Sequence, residues 1–134
     1  MIFVFFEGGF YNSYISKYLV KINLNNILET YATDGNKDCP VAVGNDLVIE
    51  KISFVETKTI RYEFHVPKYS KDSLYLQPYK EFLTEINIED LENTKSLAKL
   101  RNNDVIFEYL YFDNRGEEMF NIRVLFNTPI TVID

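Results

Sequence analysis

Cys39 and His65 are the only thiol and the only imidazole in the sequence, and they set the ceiling on what chemistry it can offer. One of each, far apart in the chain, removes most metal cages and the usual nucleophile and base pairs. Cys39 precedes Pro40 in a segment that heads for the interior, where a free thiol behaves as a small hydrophobe. Only Lys37 lies close enough in sequence to depress its pKa. His65 falls on the wet face of a strand beside Glu63 and Arg61, so general-base work is conceivable there, but no positioned nucleophile accompanies it. Asp34, Asn36 and Asp38 repeat the 1, 3, 5 spacing with which a calcium loop gathers oxygen ligands. The match then fails, with Cys39 where such a loop has Gly and Asn45 where it has Glu, and a polar turn is the better reading. Gly8-Gly9 lacks the Gly-Lys-Ser/Thr continuation of a phosphate loop. The sequence therefore calls for no metal and no cofactor. An enzyme using His65 or the surface carboxylates is the last of the functional readings.

Recognition is the better use of these residues. Across 134 residues, 20 Asp and Glu face 14 Lys and Arg, a net charge of -6 that disfavours nucleic acid phosphates and anionic lipid. Glu81, Glu85, Glu89, Asp90 and Glu92 place five acids and no base in residues 81 to 92. Just upstream, Tyr69, Tyr75 and Tyr79 add rings of the kind that give interfaces contact area at low entropic cost. Tyr69, Tyr75, Tyr79, Glu81, Glu85 and Glu89 are accordingly the expected contact set for a basic protein partner. The plainer account makes the acids first-turn helix charges and packs the tyrosines over the sheet edge.

The elements that must carry these residues follow from periodicity. Tyr11, Tyr14, Ile15, Tyr18, Leu19 and Ile22 keep helical spacing and predict a helix from about Phe10 to the Asn23/Asn25/Asn26 cluster, extending toward Thr30. Thr33 to Asp38 read as a polar loop, and Cys39 to Val43 lead to a turn at Gly44-Asn45-Asp46. Leu47 to Val55 and Thr59 to Val66 read as two strands, the second with Ile60, Tyr62, Phe64 and Val66 on its buried face. Lys68 to Tyr79 fit no period. A second helix is expected from Asn87 as N-cap, with Glu89 and Asp90 in its first turn and Lys95, Lys99 and Arg101 at its end. Val105 to Phe112 and Met119 to Phe126 read as a hairpin around Asp113-Asn114-Arg115-Gly116, and Pro129 to Ile133 as an edge strand. The expectation is a single α+β domain over residues 1-134 with helix, hairpin, helix, hairpin in order. Its four-stranded antiparallel sheet would be covered on one face by the two helices.

The segment Asn36-Lys37-Asp38-Cys39-Pro40-Val41-Ala42-Val43, with Leu47 to Ile52, the strand Ile60 to Phe64 and the hairpin from Val105 to Val124, resembles a group of small bacterial domains. These carry an Asn-x-x-Cys-Pro-Val/Met element between a helix and a hairpin. The likeness spans about residues 12 to 126 in layout. It implies the same architecture and, because such domains are often envelope-attached, an envelope location, while implying no activity. The sequence itself points to the cytoplasm, since the apolar start Met1 to Phe6 meets Glu7 at once and no basic residue precedes Lys17. Attachment to the envelope would need a trimmed N-terminus. No stretch reads as a transmembrane span.

Three functions are carried forward. The first is a non-enzymatic binding or inhibitor module, immunity-type or regulatory, with an acidic, tyrosine-rich surface. The second is a small acidic chaperone of exported proteins, which would form a homodimer. The third is the enzyme already described.

Overall fold

The computed structural model describes residues 14–73 and 75–133, with side chains described from Asn23 onward. The expected start of the first helix near Phe10 and the roles weighed for residues 1–9 lie outside the described residues. Helix α1 (Tyr14–Asn36) bends at Asn23, whose φ of -124° and ψ of 38° are not helical. It runs through Thr33 to Asn36, which were expected in a loop, because two asparagines tie it to the sheet. Asn25 Oδ1 accepts from the Lys58 backbone N–H at 3.2 Å, and Asn36 Oδ1 from that of Ile52 at 3.0 Å. The strands are β1 (Val41–Val43), β2 (Leu47–Glu56), β3 (Thr59–His65), β4 (Ile106–Phe112), β5 (Glu118–Leu125) and β6 (Thr131–Ile133). Helix α2 (Leu76–Asn93) and a 3-10 helix (Lys95–Leu100) lie between β3 and β4.

The expected four-stranded antiparallel sheet is wrong. The described residues form a six-stranded mixed sheet in the order β1-β2-β3-β4-β5-β6, with β3 and β4 parallel. The cause is the length of the crossover. A helix of 18 residues rises ~27 Å, enough to carry the chain back past the ~23 Å of a seven-residue strand. β4 therefore enters the sheet from the same end as β3, and Thr59↔Ile106 through His65↔Phe112 stay in register. Two three-residue strands extend the edges, β1 beside β2 and β6 beside β5.

The second helix is also displaced. Asn87 is not an N-cap; it sits inside α2, 1 % exposed, with Nδ2 donating to the Tyr111 hydroxyl at 2.9 Å. Pro78 falls in the first turn, where a missing N–H costs nothing, so a helix can begin in a stretch that shows no sequence period. Tyr62, Tyr109 and Tyr111 share one face of the sheet. α1 reaches that face through the Tyr31 and Tyr62 hydroxyls, 2.8 Å apart, and α2 through Asn87. Both helices therefore cover the same side. Leu28, Leu83, Leu97, Leu100, Phe64 and Phe107 fill the space between the layers.

Candidate functional site

The site begins with a loop that a single carboxylate holds in place. Asp113, at the β4–β5 turn, is fully buried. Its Oδ1 accepts from the backbone N–H groups of Arg115 and Glu117, each at 2.9 Å, and its Oδ2 from that of Lys71 at 2.9 Å. Asn114 N–H donates to the Tyr69 carbonyl at 3.0 Å, so the turn and the approach to α2 are fastened together. This places Tyr69 and Tyr75 at the head of α2, both exposed, Tyr75 88 % so.

From there α2 turns an acidic face outward. Glu81, Glu85 and Glu89 recur every four residues and are exposed along one helical stripe. Phe82 sits among them, 50 % exposed. Tyr79 differs from the other two tyrosines. It is half-buried, edge-on to Phe120 with ring centroids 6.0 Å apart, and burial pushes its hydroxyl pKa up. The structure thus groups Tyr75, Glu81, Glu85 and Glu89 on one outer face, sets Tyr69 beside its head, and turns Tyr79 inward. Phe82 was missed because its exposure shows only once α2 is known to start at Leu76. In that register it stands one turn from both Pro78 and Glu85.

The candidates for catalysis do not converge. His65 lies on the sheet face away from the helices, paired in register with Val48 and Phe112, and is half-buried. Cys39 is half-buried with Sγ 3.7 Å from the Gly35 carbonyl. Burial first, then the charges of Asp38 and Glu50, push its thiol pKa up, which makes a poor nucleophile. Asp34 pairs with Lys37 at 3.2 Å, and Asn36 is committed to Ile52. Among the described residues no group of three His, Cys, Asp or Glu side chains could hold a metal ion. On the same outer face as His65, Glu108 takes Arg61 Nε at 2.8 Å and Asn121 Nδ2 at 2.8 Å, and Arg123, 3.8 Å from Glu108, extends the network to Glu56 at 3.9 Å.

Two cavities lie away from the outer face of α2. Asp90, on the inner side of α2, is 6 % exposed and lines a cavity of about 10 Å³ with Tyr31, Tyr62, Leu91, Thr94 and Tyr109. Among the described residues its Oδ2 has no hydrogen-bond partner, and burial pushes its pKa up to about 6. Across the molecule, a groove of about 290 Å³ runs between α1 and β2. No helix among the described residues is long and apolar enough to cross a membrane.

This fold has solved counterparts. The pilotin EpsS from the type 2 secretion system of Vibrio vulnificus matches at 15 % identity and a TM-score of 0.59, over 76 % of this chain and 87 % of that one. The type II secretion system pilotin AspS from Vibrio cholerae matches at 17 % identity and a TM-score of 0.59, over 85 % and 96 %. A putative secreted protein from Pseudomonas aeruginosa matches at 14 % identity and a TM-score of 0.63, over 78 % and 91 %. At these identities the likeness is one of fold. A search of the curated proteins finds no match. The family model described as Domain of unknown function (DUF8479) matches residues 24–120, and the chain belongs to that family.

Proposed function

We propose that this protein is a non-enzymatic escort for an exported protein, holding a basic segment of its partner against the outer face of α2. The observation that carries the reading is the pairing of exposed Tyr75 and Phe82 with the unbroken acidic stripe Glu81, Glu85 and Glu89. Two large rings left in water are what an interface core needs, and a rim of one charge steers a partner of the other. A fold shared with two secretion-system pilotins and a putative secreted protein supports the chaperone reading over an inhibitor. The same company favours the envelope over the cytoplasm as the place of work.

The test uses the full chain as bait on a solubilised envelope fraction. Wild type and a Phe82→Ala, Glu81→Lys, Glu85→Lys, Glu89→Lys variant of equal thermal stability are compared. One exported protein should be retained by wild type, with affinity that falls as salt rises, and lost by the variant. Equal capture by both baits moves the contact surface elsewhere. Sedimentation equilibrium of the free chain distinguishes the homodimer expected of a chaperone from a monomer that presents α2 alone.

A further inference from the structure

The edge of β2 is covered by another strand along only part of its length. β1 pairs with Leu47, Val48 and Ile49 and no further. On its other side β2 is held by β3, in unbroken register from Lys51↔Glu63 to Phe54↔Ile60, between register shifts at Ile49/Lys51 and Phe54/Glu56. The Ile52 N–H points away from β3, since it donates to Asn36 Oδ1 at 3.0 Å. By the alternation of an antiparallel ladder, the Ile52 carbonyl and both backbone groups of Phe54 point the same way. Among the described residues no strand pairs with them. They open onto the groove of about 290 Å³ whose other wall is Glu29, Ala32, Thr33 and Asn36 of α1.

We propose that this groove takes an extended peptide strand, which adds to β2 beyond the end of β1 and lies between the sheet edge and α1. A sheet edge facing a helix-walled groove is the arrangement in which main-chain hydrogen bonds give affinity and alternate side chains give selectivity. The pairing length is set by the regular stretch Lys51 to Phe54, ~13 Å of strand. The lining carries one acid, Glu29, and one base, Lys51, so its charge sets no sign for the occupant, and the fit is made by the main-chain groups of Ile52 and Phe54 along the open edge. Asn36 holds the place of the incoming chain at the Ile52 N–H, keeping that donor satisfied while the groove is empty. The site is separate from the α2 face and stands without it.

A synthetic peptide of about six alternating Lys, Val and Thr residues is the probe. Titrated against the full chain, it should slow amide hydrogen exchange at Phe54 at least about tenfold at saturation. The same peptide N-methylated at alternate residues, so that its bonding edge is blocked, should not bind. Thr33→Trp fills the groove from an exposed position and should abolish binding with melting unchanged. Asn36→Ala frees the Ile52 N–H and should tighten binding about threefold. The proposal is overturned by equal binding of the blocked peptide, by unchanged exchange at Phe54, or by absence of binding at ~1 mM peptide, an affinity near -4 kcal/mol. The α2 variant described above should bind the peptide normally, which separates failure here from failure of the escort reading.

Discussion

Near the two ends of helix α2 lie buried carboxylates that the fold treats in opposite ways. At the N-terminal approach, Asp113 is fully enclosed but accepts three backbone hydrogen bonds, with the Arg115 guanidinium 3.7 Å away. Burial alone would raise its pKa; the N–H groups of Lys71, Glu117 and Arg115 and the Arg115 charge outweigh it and hold it down at about 2. At the C-terminal half, Asp90 is nearly as buried, yet its Oδ2 meets no donor among the described residues and its pKa rises to about 6. The contrast teaches that burial does not fix the cost of a carboxylate; the number of donors aimed at it does. The satisfied acid fixes the loop that carries Tyr69 and Tyr75, and the unsatisfied one lies beneath the end of the acidic face.

The largest effect expected from breaking this contrast is Asp113→Ala. It strips the acceptors from three backbone donors at once, and a fall in Tm of more than ~10 °C is expected in a circular dichroism melt. The partner binding proposed for the α2 face should weaken with it even at temperatures where the variant stays folded. A melt within a few degrees of wild type would show that water replaces the carboxylate without cost.

Next in size is Asp90→Asn, with the opposite sign. A carboxyl whose folded pKa lies above its ordinary 3.8 favours folding while protonated, so its contribution is full below about pH 4 and lost as pH rises through about 6. At pH 7.5 wild type carries an ionised, underbonded Asp90, and Asn should stabilise the fold by about 2 to 3 kcal/mol. At pH 4 the gain should vanish. Asp113 works the other way. Its depressed pKa contributes stability above about pH 4, lost as pH falls toward 2. Urea denaturation from pH 2.5 to 7.5 should give a maximum near pH 4 for wild type. The variant Asp90→Asn should lose the upper slope alone. A gain that is the same at pH 4 and pH 7.5 would mean that Asp90 is not titrating in the folded state.

The same two acids show why the sequence was legible in some places and not in others. Strands β2 to β5 were readable to within a residue or two because Ile60, Tyr62, Phe64 and Val66, and their counterparts on β5, alternate with polar side chains across a sheet covered on one side. The turn at Asp113 to Gly116 was readable for the same local reason, with Gly116 at φ +80°. Strand direction was not. Whether β4 runs with or against β3 depends on how far the crossover carries the chain, and the sequence understates that length because α2 starts at Leu76, well before the cap-like Asn87. Asn87 and Asp90 imitate a cap and a first-turn acid, and nothing local reveals that both point inward, Asn87 to Tyr111 and Asp90 to the tyrosine cavity. Of the contact set, the acids were visible as composition, Tyr79 turned inward on Phe120, and Phe82 needed the helical register.

A smaller effect sharpens the picture of the cavity around Asp90. The Tyr31 and Tyr62 hydroxyls share a 2.8 Å hydrogen bond at its edge, with burial pushing the Tyr31 pKa up to about 12. Tyr31→Phe keeps the ring and removes one partner, so a loss of about 1 kcal/mol is expected in urea denaturation. A gain instead would place this hydroxyl among groups whose burial costs more than their bond returns.

The smallest expected effect tests the cause assigned to Asp90 itself. Burial is the larger reason its pKa is raised, and the charge of neighbouring Glu89 adds to it. Glu89 is exposed, so Glu89→Gln removes that charge without opening the cavity. The Asp90 carboxyl carbon, followed by NMR, should then titrate at a lower pH than in wild type while staying well above an ordinary aspartate, because water still cannot reach it. Stability at pH 7.5 should rise slightly for the same reason, since less work is needed to ionise a carboxyl that has lost a like charge. If the midpoint falls all the way to the ordinary carboxylate range, the repulsion was the main term and the cavity is wet. If it does not move, solvent screens Glu89 completely and enclosure alone sets the titration. Either result fixes how far the acidic outer face of α2 is felt on its inner side.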